Sequence, residues 1–97
     1  MIPGLQSKIS ESVVASADTI FAKTDFVRIT GAVAINTILS PLMGSGLMIN
    51  IVAVDGGAIV LGTTGNILVG LTMAQNRPYT MFWSKTVGKW YIGATNP

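Results

Sequence analysis

The sequence predicts an all-β fold, and three observations carry that prediction. β-Branched residues gather in short runs with Gly, Pro, Asn or Asp between them. No stretch holds the 3.6-residue apolar period of an amphipathic helix. The strand–helix alternation that a parallel α/β sheet requires is missing. Within the class, the close spacing of strands and turns points to a small antiparallel β-sandwich or jelly-roll-like barrel with an extended N-terminal arm. With 97 residues there is room for one domain. Residues 1–10 are expected to be the arm and residues 11–97 the β domain.

In the arm, Pro3-Gly4 forbids regular structure at the start. Ser12 to Phe21 is expected to hold one or two short strands, with a helical turn left open by its Ala-rich spacing. Phe26 to Thr30 is a strand, Gly31 a turn or bulge, and Val33 to Leu39 a second strand. That strand would place Val33, Ile35 and Thr37 on one face and Ala34, Asn36 and Ile38 on the other. Ser40 to Gly46 is a loop. Leu47 to Val54 is the longest strand, closed by the turn residues Asp55-Gly56-Gly57. Ala58 to Leu61 is short, Gly62 to Asn66 turns tightly, and Ile67 to Leu71 follows. After a break at Gln75 to Pro78, Tyr79 to Ser84 and Val87 to Ile92 make the last two strands.

Charge is the anomaly. Asp, Glu, Lys and Arg make up 10% of the chain, against about 25% in an ordinary soluble domain. Area scaling from 10.1 kDa predicts a folded monomer exposing roughly 5,300 Å². The few charges would be thinly spread over it, so the exterior is expected to be covered by copies of the chain or by a larger assembly. The net charge of +2 is too small to argue for nucleic acid. Residues 29–54 hold no charge, but Gly31, Pro41, Gly44, Gly46, Asn36 and Asn50 break that run well short of the ~20 apolar residues of a membrane helix. The first twelve residues lack the basic-then-apolar order of a signal peptide.

Chemistry is hard to build from this alphabet. His and Cys are absent, which leaves no nucleophilic triad and no imidazole or thiolate for a metal. Glu11, Asp18, Asp25 and Asp55 are scattered. The segments Gly62–Asn66 and Gly44–Gly46 lack the remaining residues of a phosphate loop or a dinucleotide fingerprint. No enzyme activity, cofactor or metal is expected. Two places could bind something. One is the C-terminal group Trp83, Lys85, Lys89, Trp90 and Tyr91, where rings beside lysines could stack on a base or sugar. The plainer role for it is one Trp in the core and one sealing a hairpin, since Trp90 and Ile92 share a face opposite Lys89 and Tyr91. The other is the arm, whose Ile2, Pro3, Leu5 and Ile9 either dock on a partner or stay mobile.

The order of segments also resembles a short β domain of tailed-bacteriophage structural proteins. The pattern is Val27-x-Ile29-Thr30-Gly31, then Ala34-Ile35-x-Thr37-Ile38, a long strand, Gly65-Asn66-Ile67 and a closing Lys89-Trp90-Tyr91. It spans roughly residues 16–92. The Ser40–Gly46 loop is more apolar than that pattern, and no collagen-like, coiled-coil or β-helical extension is expected here. A chain running from Met1 to just past the domain is expected to be a capsid decoration (cement) protein rather than a fibre subunit. The resemblance implies a homotrimer on the outer capsid surface of the virion, bound to itself and to the major capsid protein, with no nucleic-acid or membrane partner. It further implies that Ile2, Pro3, Leu5 and Ile9 contact the shell, while Trp83, Lys89 and Tyr91 are candidates for the trimer or ligand surface. The alternative is a tail-fibre or receptor-binding tip that recognises a host-surface glycan through the same aromatic group.

Overall fold

The computed structural model describes residues 11–41, 47–55 and 59–93. The expected arm, with Ile2, Pro3, Leu5 and Ile9, lies outside these residues, as do Gly56 and Gly57 and most of the Ser40–Gly46 loop. Nine strands follow one another among the described residues: β1 (Glu11–Ala15), β2 (Thr19–Phe21), β3 (Phe26–Thr30), β4 (Thr37–Leu39), β5 (Met48–Ala53), β6 (Ile59–Leu61), β7 (Leu71–Met73), β8 (Tyr79–Ser84) and β9 (Lys89–Ile92). The all-β class is as expected; the strand directions are mixed rather than wholly antiparallel.

A mixed five-stranded sheet runs in the order β1-β3-β5-β8-β9, and β2-β4 and β6-β7 form two-stranded sheets. β1 pairs with β3, and β3 with β5, in parallel. β2 and β4 are parallel as well. Parallel neighbours need a crossover, usually a helix. Here each crossover contains a strand instead, so the chain winds β1 to β2 to β3 to β4 to β5, alternating between two sheets. A parallel bridge from Ile35 to Leu61 carries the stack on to β6. This short β-coil makes the pairings among β1 to β5 parallel, where antiparallel neighbours were expected. The other three pairings, β5-β8, β6-β7 and β8-β9, are antiparallel.

Equivalent positions of successive turns stack in columns, and these account for the small residues at the corners. The register of β1, β3 and β5 aligns Ser16, Gly31 and Asp55. Gly31 adopts φ +79°, a conformation natural to glycine, and its N–H donates to Asp55 Oδ2 at 2.7 Å. Ser16 Oγ accepts from Val33 N–H at 2.9 Å. The break in VRITGAVAINTI is therefore a corner of the coil. The register of β2 and β4, extended through the Ile35–Leu61 bridge, aligns Asp18, Asn36 and Gly62. Asn36 Nδ2 donates to Asp18 Oδ1 at 2.8 Å, and the N–H groups of Asn36 and Thr37 both donate to the Asp18 carbonyl.

That second corner shortens the strand expected over Val33–Leu39. Residue 35 makes an isolated bridge and only Thr37–Leu39 is a strand, so the strict alternation fails and both Ile35 and Ile38 are fully buried. The strand expected at Ile67–Leu71 likewise forms later, at Leu71–Met73; Ile67 bridges Trp90 in parallel instead. β3 and β8 have the expected bounds.

The inner faces of all the sheets meet in one core, which includes Ile20, Val27, Ile29, Ile35, Ile38, Ile49, Ile51, Ile67, Met81 and Trp90. Two glycines behave differently against it. A Cβ on Gly65 would strike the Asn36 carbonyl and Thr37 Oγ1, whereas Gly88 sits at φ +73° with open space around it. Gly88→Ala is expected to cost about 1–2 kcal/mol from its conformation alone. Gly65→Ala is expected to cost more, on the order of 3 kcal/mol, because a backbone carbonyl must move. Thermal melts of the two variants check the order, and equal shifts would contradict it.

Candidate functional site

The C-terminal residues singled out by sequence do not form one site. In the β8-β9 register Trp83 faces Trp90, and Phe82 faces Tyr91. The period-2 alternation sends the two tryptophans inward together. Trp90 is fully buried, its Nε1–H donates to the Ile38 carbonyl at 3.0 Å, and Trp83 packs edge-on against it with ring centroids 5.3 Å apart. Lys89 lies on the outer face, but its Nζ donates to the Gly65 carbonyl at 2.8 Å. It ties β9 to the Gly62–Asn66 turn. Of Trp83, Lys89 and Tyr91, only Tyr91 is exposed, at 43%.

The polar side chains near this region also work for the fold. Asn66 brackets the middle residue of β4: its Oδ1 accepts from Ile38 N–H at 2.9 Å and its Nδ2 donates to the Ile38 carbonyl at 2.7 Å. A side-chain amide thus stands in for a neighbouring strand. The Asn66 carbonyl in turn accepts from Trp90 N–H, and Leu68 N–H donates to the Trp90 carbonyl. Three of the four carboxylates are engaged as well: Asp18 with Asn36, Asp55 with Gly31, and Glu11 with Arg28 at 3.6 Å. Among the described residues no group of three His, Cys, Asp or Glu could hold a metal ion, and no helix is long and apolar enough to cross a membrane.

What the outer surface does present is apolar. On the five-stranded sheet Met48, Phe82 and Tyr91 are consecutive cross-strand partners on β5, β8 and β9. They form a row with 50%, 38% and 43% exposure. Beside it on the same face Thr80 Oγ1 donates to Asn50 Oδ1 at 2.6 Å. On the β2-β4 sheet Phe21 and Leu39 are partners, at 49% and 43% exposure. Sequence reasoning missed Met48, Phe82, Phe21 and Leu39. Alternation around Ile49 and Ile51 points Met48 outward, but the pairing of β5 with β8 that completes the row leaves no local trace. Compared with models of known families, with curated proteins and with solved structures, the chain finds no match.

Proposed function

We propose that this chain is a structural protein that works by adhesion to copies of itself and to a larger surface. The observation that carries this reading is the pair of uncharged apolar surfaces, Met48–Phe82–Tyr91 and Phe21–Leu39, on a chain with 10% charged residues. Apolar area of this kind gains free energy when removed from water, at about 25 cal/mol per Å² before association entropy is subtracted.

More particularly, the protein is a homotrimeric capsid decoration (cement) protein of a tailed bacteriophage, seated on the outer shell of the virion. The segment resemblance around Val27–Ile38, Gly65–Ile67 and Lys89–Tyr91 supports this step. The expected arm residues Ile2, Pro3, Leu5 and Ile9 are its contact with the major capsid protein. Area buried between coat subunits, repeated over many copies, would resist internal genome pressure. The glycan-binding tip is less well supported, because Trp90 and Trp83 are committed to the interior and Lys89 to the Gly65 carbonyl.

Light scattering on the purified chain is expected to give three times the 10.1 kDa mass. Bare capsids are expected to bind it saturably, and a chain lacking residues 1–10 is expected to trimerise without binding them. A monomer at micromolar concentration would overturn the reading, as would unsaturable capsid binding.

A further inference from the structure

Cysteine and methionine sulfurs are the side-chain atoms on which mild oxidants act. This chain has five methionines and no cysteine, so no thiol competes for a peroxide. Three of the five lie among the described residues, and the fold divides them. Met73 and Met81 have no exposure. Met73 sits on β7 opposite Ile59, Met81 sits on β8 opposite Ile49 and Ile92, and both belong to the core. Met48 is 50% exposed. It is the first residue of β5, and the alternation that buries Ile49 and Ile51 turns it to the outer face beside Phe82.

We infer that Met48 is an oxidation site of the folded chain: where its row faces water, a peroxide converts its thioether to the sulfoxide and spares Met73 and Met81. With hydrogen peroxide as the oxidant the step balances. A sulfur lone pair attacks one peroxide oxygen, the O–O bond breaks, an S–O bond forms and water leaves. Sulfur is oxidised and the peroxide oxygen is reduced. Access decides the selectivity. Peroxide meets Met48 in the native state, whereas it meets Met73 and Met81 only when the core opens, a state populated at about one part in 10³ or less. Exposure also makes the product tolerable. The new oxygen on Met48 is solvated, while in the core a polar S–O group would lack a partner. The inference does not rest on the adhesive reading, but it bears on the same row. None of Met48, Phe82 and Tyr91 is charged, and a sulfoxide puts a polar, chiral group at one end of them.

The test is a time course in dilute hydrogen peroxide, quenched with free methionine and read by tandem mass spectrometry. It uses wild type and Tyr91→Lys, whose charge keeps the row in water. In Tyr91→Lys, Met48 is expected to gain one oxygen at least about 100-fold faster than Met73 or Met81. In concentrated urea, where burial is gone, the three are expected to react at similar rates. Circular dichroism and the thermal midpoint are expected to hold up to full oxidation of Met48. Comparable native rates for Met48 and either buried methionine in Tyr91→Lys would overturn the inference. So would a midpoint that falls in step with Met48 oxidation and holds in Met48→Leu, because the sulfoxide would then be disturbing the core. Wild type tests the adhesive reading separately. Copies packed over the row would shield Met48 and slow its oxidation relative to Tyr91→Lys, and equal rates would count against adhesion by this row alone.

Discussion

Trp90→Ala is expected to remove about 3–5 kcal/mol of stability, a large share of the roughly 5–15 kcal/mol available to a domain of this size. Three losses combine. The largest fully buried side chain disappears, Trp83 loses the ring against which its edge rests, and the Nε1–H bond from β9 to the Ile38 carbonyl goes. At about 4–8 °C per kcal/mol, the midpoint of a thermal melt falls by on the order of 15–30 °C. Trp90→Phe keeps a ring in the core and loses the donor. The Ile38 carbonyl still accepts from Asn66 Nδ2, so the cost is expected to be only about 1–3 kcal/mol. Trp83 remains as the single indole in both variants, and its fluorescence reports the exposure of its surroundings. Equal shifts for the two variants would mean that the hydrogen bond, not the packing, holds the hairpin to the coil.

The second large effect concerns Asn66. Asn66→Ala takes away both bonds that bracket Ile38, a residue with no exposure. The Ile38 carbonyl keeps Trp90 Nε1 as a donor, whereas the N–H loses the acceptor that Asn66 provides. An unsatisfied buried donor costs about 1–3 kcal/mol, and the bond to the carbonyl adds about 1 kcal/mol. The expected total is on the order of 2–4 kcal/mol. Asn66→Asp preserves the acceptor for Ile38 N–H but sets a carboxylate oxygen against the Ile38 carbonyl, so it is expected to fall between alanine and wild type. Denaturant midpoints at neutral pH check the order. An alanine variant as stable as wild type would show that β4 needs no side-chain partner on that edge.

Both predictions concern contacts between segments far apart in the chain, and that separates what was legible in the sequence from what was not. β3 and β8 could be read to the residue because alternation and flanking turn residues are local properties. Strand direction is not. FVRIT and ESVVA have the same periodicity whether they run parallel or antiparallel, and the absence of helices argued against parallel pairs. The strands β2 and β4 supply the crossovers that helices usually supply. The Val33–Leu39 strand failed because the Asp18 carbonyl captures the N–H groups of Asn36 and Thr37 at a corner, a contact across one turn of the coil. At the candidate site the opposition of Trp90 to Lys89 and Tyr91 was legible from alternation. That Lys89 reaches Gly65, and that Met48 lines up with Phe82 and Tyr91, depends on cross-strand register.

Stacked turns also make the particle modular along one direction. The stack of β1, β3 and β5 is closed off on one side by the β8-β9 hairpin, with Asn66 and Trp90 bridging it to β4. On the other side β1 and β2 are the outermost strands of their sheets among the described residues. Splicing one more two-strand repeat ahead of Glu11 would lengthen the body by about 4.8 Å while leaving its cross-section, and its exposed apolar rows, unchanged. A stubby knob and a long shaft would then differ in the number of repeats, not in architecture.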